Sequence, residues 1–178
     1  MEIFPRTTVQ TLADCEPGQL VRSLGYGEAD RLGVVFDLAE VGETRRGIVR
    51  LTSTPPVMEI DNPPEQTKVL AYVGKTVWKV DQNGPMETNA RDLYDKSGVV
   101  IRNAETWLLN VTSPRNRDLS YAGFQLNLMT GEMTRYQEEF RGVAFFGAWS
   151  VFLEDEDRPF EDRWEIASYC FEQVERSN

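Results

Sequence analysis

The sequence predicts a mainly β protein, an antiparallel barrel-like or sandwich-like domain with a short mid-chain helix and a helix at the C-terminus. Three observations predict it: short apolar runs rich in β-branched and aromatic residues, turn residues punctuating them, and alternation of apolar with polar side chains in the best-formed run. All 178 residues read as one domain, long enough to bury roughly 70% of the unfolded surface.

The first turn is Glu16-Pro17-Gly18, where proline presets φ and glycine supplies a positive φ, and it feeds Leu20-Val21. Gly33 to Leu38 and Gly47 to Leu51 are strands by composition, with Val41 to Arg46 as the hairpin loop between them. Two proline pairs, Pro55-Pro56 and Pro63-Pro64, cannot sit inside a helix or a central strand, so 54–66 is where a subdomain crossing would fall. Val69 to Val73 and Thr76 to Val80 then read as a hairpin joined near Gly74, ending at the turn Asp81 to Pro85. Met86 to Ser97 is polar around Leu93 and Tyr94, and Gly98 stands where a residue just past a helix C-terminus would, which predicts the short helix.

Val99 to Arg102 and Thr106 to Thr112 are strands again. The clearest hairpin follows: Phe124 to Leu128 alternates, Thr130-Gly131 supplies a two-residue turn, and Met133 to Tyr136 runs back. Val143 to Leu153 is apolar on both faces, as a fully buried strand is. At the C-terminus Phe160, Trp164, Ala167, Phe171 and Val174 fall on one helical face, with Pro159 suited to the first helical position; the rival reading is a strand from Trp164 to Phe171.

Composition narrows the function. The chain has no histidine, which removes Ser-His-Asp and Cys-His catalysis and histidine metal sites. It has no Walker A motif, and Gly25-Tyr26-Gly27 lacks the third glycine of a dinucleotide fingerprint, so no cofactor is expected. Cys15 and Cys170 read as free thiols. The net charge of −10 argues against nucleic acid or an anionic membrane as partner. No signal sequence opens the chain, and the longest apolar stretch falls short of the roughly 20 residues of a membrane helix, so the expected location is cytoplasmic.

Carboxylates are the chemistry that remains. Asp37 and Asp81 lie near the ends of predicted strands, and Glu59 and Asp61 share a face if extended; such acids can pair as acid and base or hold a hard cation, though solvated or capping roles are commoner. Lys68, Lys75, Lys79 and Lys96 are the only lysines and read as surface residues, while Arg45, Arg46 and Arg50 read as salt-bridging. Phe145, Phe146, Trp149 and Phe152 read first as core and second as a ligand cavity.

One segment stands out. From Glu154 to Glu165 seven acids face only Arg158 and Arg163, a net of −5, half the charge of the chain. Glu154, Asp155, Glu156 and Asp157, with Phe160 and Trp164, combine the charge that steers encounter with the aromatics that anchor it. The leading expectation is a non-enzymatic cytoplasmic protein that presents this acidic surface to a basic partner, as an inhibitor, immunity protein or mimic would. A carboxylate-dependent hydrolase or lyase, or a small-ligand-binding β-barrel, is the alternative.

Overall fold

Strand formers dominate wherever the chain is ordered by hydrogen bonds. The computed structural model describes residues 5–24, 32–60, 64–82, 96–115, 119, 121–136, 144–154 and 163–170. In the first part of the chain these form β1 (Thr7–Thr11), a single 3₁₀ turn (Leu12–Asp14), β2 (Leu20–Ser23), β3 (Leu32–Glu40), β4 (Glu43–Arg50), β5 (Val57–Ile60), β6 (Lys68–Tyr72) and β7 (Lys75–Val80). The remainder comprises β8 (Val100–Asn103), β9 (Thr106–Val111), β10 (Phe124–Asn127), β11 (Glu132–Arg135), β12 (Ala144–Phe146), β13 (Ala148–Glu154) and β14 (Arg163–Cys170). The predicted mid-chain helix at Met86 to Ser97 lies almost wholly outside the described residues.

Two sheets result. The larger runs β1-β6-β2-β3-β11-β10-β9-β8-β12, with β4 and then β5 branching from β3; the smaller is β14-β13-β7. The long β3 makes the branch: β4 pairs along one edge, while β2 takes the first half of the other edge and β11 the second. The β3–β11 pairing is parallel, so the large sheet is mixed rather than purely antiparallel. It curls until Val57 bridges Thr112, but that contact is one isolated bridge and no closed barrel forms.

The turn at Glu16–Gln19 is as expected: Gly18 has φ +86° and Gln19 N–H donates to Glu16 O. The loop after β3 is shorter than the sequence suggested, because Glu40 pairs with Glu43 and only Val41-Gly42 turn the corner. The segment between the proline pairs is β5, hydrogen-bonded to β4.

Three expectations are corrected. The strands β6 and β7 are adjacent in sequence but do not pair: Val73-Gly74 carries the chain from the large sheet to the small one. The run Val143 to Leu153 is two strands, β12 in the large sheet and β13 in the small, broken at Gly147. Within the C-terminal segment, Arg163–Cys170 is not helical but forms β14, paired with β13 through a bulge at Val151/Phe152, while Phe160, Phe171 and Val174 lie outside the described residues.

The main core lies between the sheets, where Phe36, Leu38, Met58 and Leu126 of the large sheet meet Trp149, Val151 and Leu153 of the small one. The opposite face of the large sheet carries a lesser core of Leu12, Val21, Val35 and Ile48. Burial on both faces explains why β3 reads as a continuous apolar run. Cys15 belongs to this second core at 2% exposure, and Gln10 Nε2 donates to its sulfur at 3.1 Å.

Burial pushes the Cys15 thiol above its ordinary range, offset in part by the Gln10 hydrogen bond and the Arg46 charge. A raised folded value means the neutral thiol's stabilisation is complete below the unfolded value and is lost as pH climbs through the folded one. The stability difference between wild type and Cys15→Ala should therefore narrow as pH rises above the ordinary thiol value of about 8.5, read by urea unfolding. In the native protein a thiol reagent should modify Cys170 while Cys15 stays unreacted; equal labelling of both would contradict the placement.

Candidate functional site

The acidic segment is the connection between β13 and β14, and its root is well defined. Glu154 closes β13 opposite Lys75 on one side and Arg163 on the other. Its side chain is buried, with 8% of the residue exposed, and Oε1 accepts from Arg163 Nε at 2.8 Å and Nη2 at 2.6 Å. Glu154 therefore holds the hairpin root together. Trp164, next on β14, remains 42% exposed while its ring lies 6.2 Å from Tyr72 at a tilted angle. Asp155, Glu156, Asp157 and Phe160 lie outside the described residues.

Beside this root opens a cleft of about 590 Å³ between the sheets. Trp78 and Val80 of β7 form one wall; Trp107 of β9 and Leu128 and Met129 of the β10–β11 loop form the other, with Lys75, Gln82 and the Glu154–Arg163 pair at its ends. The walls are braced from behind. Trp78 lies 5.4 Å from Trp149 and Trp107 lies 5.5 Å from Phe146, centroid to centroid, and Arg102 stacks over the Trp107 ring at 5.2 Å.

Met129 is held at the rim by its loop. The sequence suggested a two-residue turn, but four residues, Leu128 to Gly131, separate the paired strands. The Asn127 side chain accepts from Met129 N–H at 2.9 Å and Thr130 N–H at 3.3 Å, and Gly131 N–H donates to Asn127 O. This leaves Met129 75% exposed. A more open depression of about 740 Å³, on the far face of the small sheet, is lined by Lys79, Ser150, Phe152, Glu165 and Ser168.

The other candidate carboxylates are dispersed. Asp37, on β3, is gripped by Arg46 through Nε–Oδ1 at 2.7 Å and Nη2–Oδ2 at 2.8 Å. Glu59, on β5, pairs with Arg50 at 3.3 Å. Asp81 follows β7 in the other sheet, its N–H bonded to Ala148 O, and Asp61 lies outside the described residues. Among the described residues no group of three or more acids and cysteines is placed to hold a metal ion. The aromatic run is core, as first read: Phe145, Phe146 and Trp149 are buried and Phe152 is half-buried.

Sequence reasoning missed Trp78 and Trp107 as a pair. Each sits on an identifiable strand, but only the sheet order brings them to one cleft. Among the described residues no helix is long and apolar enough to cross a membrane. No family model, curated protein or solved structure matches the chain.

Proposed function

We propose that this protein is a non-enzymatic, cytoplasmic binding protein that captures a basic segment of a partner protein on the β13–β14 hairpin. The observation that carries this reading is Trp164, an indole 42% exposed and backed by Tyr72 at the root of a segment with net charge −5. A lysine or arginine placed there meets a π face and carboxylates together, and the indole is already packed, so little side-chain freedom is lost on binding. Roles as inhibitor, immunity protein or mimic all use such a surface. The carboxylate-enzyme alternative is weaker because Asp37 and Glu59 are each bound by an arginine.

The test follows from Glu154. Because it anchors Arg163, charge reversal should be made at Asp155, Glu156 and Asp157 and should leave Glu154 in place. With a capped arginine-rich peptide as probe, the triple reversal is expected to abolish binding in calorimetry, with the melting temperature nearly unchanged. Trp164→Ala should weaken binding by about fivefold, the scale of one exposed cation–π contact. Affinity unaltered by both changes would overturn the reading.

A further inference from the structure

We infer that β7 is a docking strand: an extended segment of a partner protein, acidic at positions i and i+4 and apolar at i+1 and i+3, adds to its outer edge and fills the inter-sheet cleft. Strand β7 is the edge of the small sheet, and among the described residues no strand pairs with it on the side away from β13. Its ladder parity is fixed by the Asp81 N–H bond to Ala148 O, which makes that cross-strand pair the hydrogen-bonded kind. By alternation Lys79, Val77 and Lys75 turn their backbone groups to β13. Thr76, Trp78 and Val80 turn theirs outward, and the cleft runs along that edge.

Side-chain direction sets the pattern of the guest. Trp78 and Val80 pack toward the inter-sheet core, so by alternation the side chains of Lys75, Val77 and Lys79 lean to the other face of the strand, Lys75 and Val77 still bordering the cleft along its edge. Apolar side chains of an added strand therefore enter the cleft against Trp78, Trp107 and Leu128, and the alternate ones lie beside the lysines. Met129 at the rim suits a groove that closes on an incoming side chain.

Charge selects acids for those alternate positions. Two of the four lysines in the chain are on β7. Among the described residues neither Lys75 nor Lys79 is in an ion pair, the carboxylate of Glu154 opposite Lys75 being held by Arg163. They stand about 13 Å apart, four strand residues, which matches acids at i and i+4 of an extended partner. A second copy of this chain is disfavoured as occupant, because two-fold pairing about Val77 sets Lys75 against Lys79. The net charge of −10 opposes an acidic guest at long range, but it is screened beyond about 8 Å in physiological salt. Cross-strand neighbours lie about 5 Å apart, inside that limit.

This site adjoins the hairpin root at Glu154–Arg163 but takes a partner of opposite charge. The probe is a capped synthetic peptide with Glu-Val-Thr-Val-Glu at its centre, followed by amide hydrogen exchange and tryptophan fluorescence. At tenfold excess over the dissociation constant, the Trp78 and Val80 amides should gain about tenfold protection. Thr76→Pro removes an outward donor that β13 does not use, so it should abolish binding with the fold intact. Lys75→Glu with Lys79→Glu should switch preference to the Lys-Val-Thr-Val-Lys peptide, and Trp164→Ala should change nothing. An N-methylated peptide that binds wild type equally well, protection arising at another strand, or no binding at millimolar peptide would each overturn the proposal.

Discussion

Gly98→Ala is expected to destabilise the protein by about 2–4 kcal/mol, combining the cost of a left-handed alanine with overpacking. Gly98 has φ +85°, and a Cβ there would lie 2.3 Å from Tyr169 Cζ and 2.6 Å from its hydroxyl oxygen. The ring has little room to retreat: Tyr169 stacks on Trp149 with centroids 5.6 Å apart and planes at 14°. Both aromatics also hold the Ser97-Gly98 loop, Tyr169 Oη donating to Ser97 O at 3.1 Å and Trp149 Nε1 donating to Gly98 O at 2.8 Å. One methyl group therefore strikes the joint where the small sheet grips the large one.

The effect should appear as a melting temperature lower by about 6–12 °C for a chain of this size, with a matching fall in the urea midpoint. Removing the ring identifies the cause. In a Tyr169→Ala background the additional cost of Gly98→Ala should fall to the backbone part, about 1 kcal/mol. An unchanged cost in that background would show that the clash is not with Tyr169.

Local signals were legible in the sequence, and pairings were not. The positive φ at Gly18 and the positions of β3, β8, β9, β10 and β11 followed from composition and turn chemistry. The errors arose where the chain changes sheet. Gly74 and Gly147 each separate two good strands, and composition cannot say whether a glycine turns a hairpin or passes the chain to another layer. The C-terminal error has a specific cause. The bulge leaves Ile166 as an extra residue, so the residues of β14 opposite Leu153, Val151 and Trp149 are Trp164, Ala167 and Tyr169, spaced three and then two, with Ile166 also packed on the core. Spacing of three, set beside Phe160 and Phe171, imitates a helical face.

The same limit governed the candidate site. The acidic run was visible as a count of charges, and Trp164 within it is 42% exposed. That Glu154 serves the hairpin root was not readable, because its partner Arg163 looks like one more member of a charged run. The two walls of the cleft are separated by β8 in the sequence and belong to different sheets. No periodicity joins them.

Arg46→Ala is the second large effect, expected at about 3 kcal/mol, because it leaves a half-buried carboxylate and two carbonyls without their donor. Besides its two bonds to Asp37, Arg46 Nη1 donates to Ala13 O at 2.6 Å and Cys15 O at 2.7 Å. Those bonds tie the 3₁₀ turn to the outer face of the large sheet. Hydrogen bonding to Asp37 raises the guanidinium pKa further, so the side chain is charged at every working pH.

Arg46→Lys should recover only part of the loss, since an ammonium cannot make the forked contact with Asp37 and also reach both carbonyls. The neighbouring Arg45–Glu43 pair, at 2.6 Å but open to solvent, supplies the control: Arg45→Ala should change the urea midpoint by no more than its scatter. A double-mutant cycle between Arg46→Ala and Asp37→Asn then separates structure from chemistry. Strong coupling, with no change in melting temperature on adding Mg²⁺ or Mn²⁺ to the wild type, fixes Asp37 as the partner of Arg46. Coupling near zero together with a metal-induced shift would return Asp37 to the list of candidate ligands.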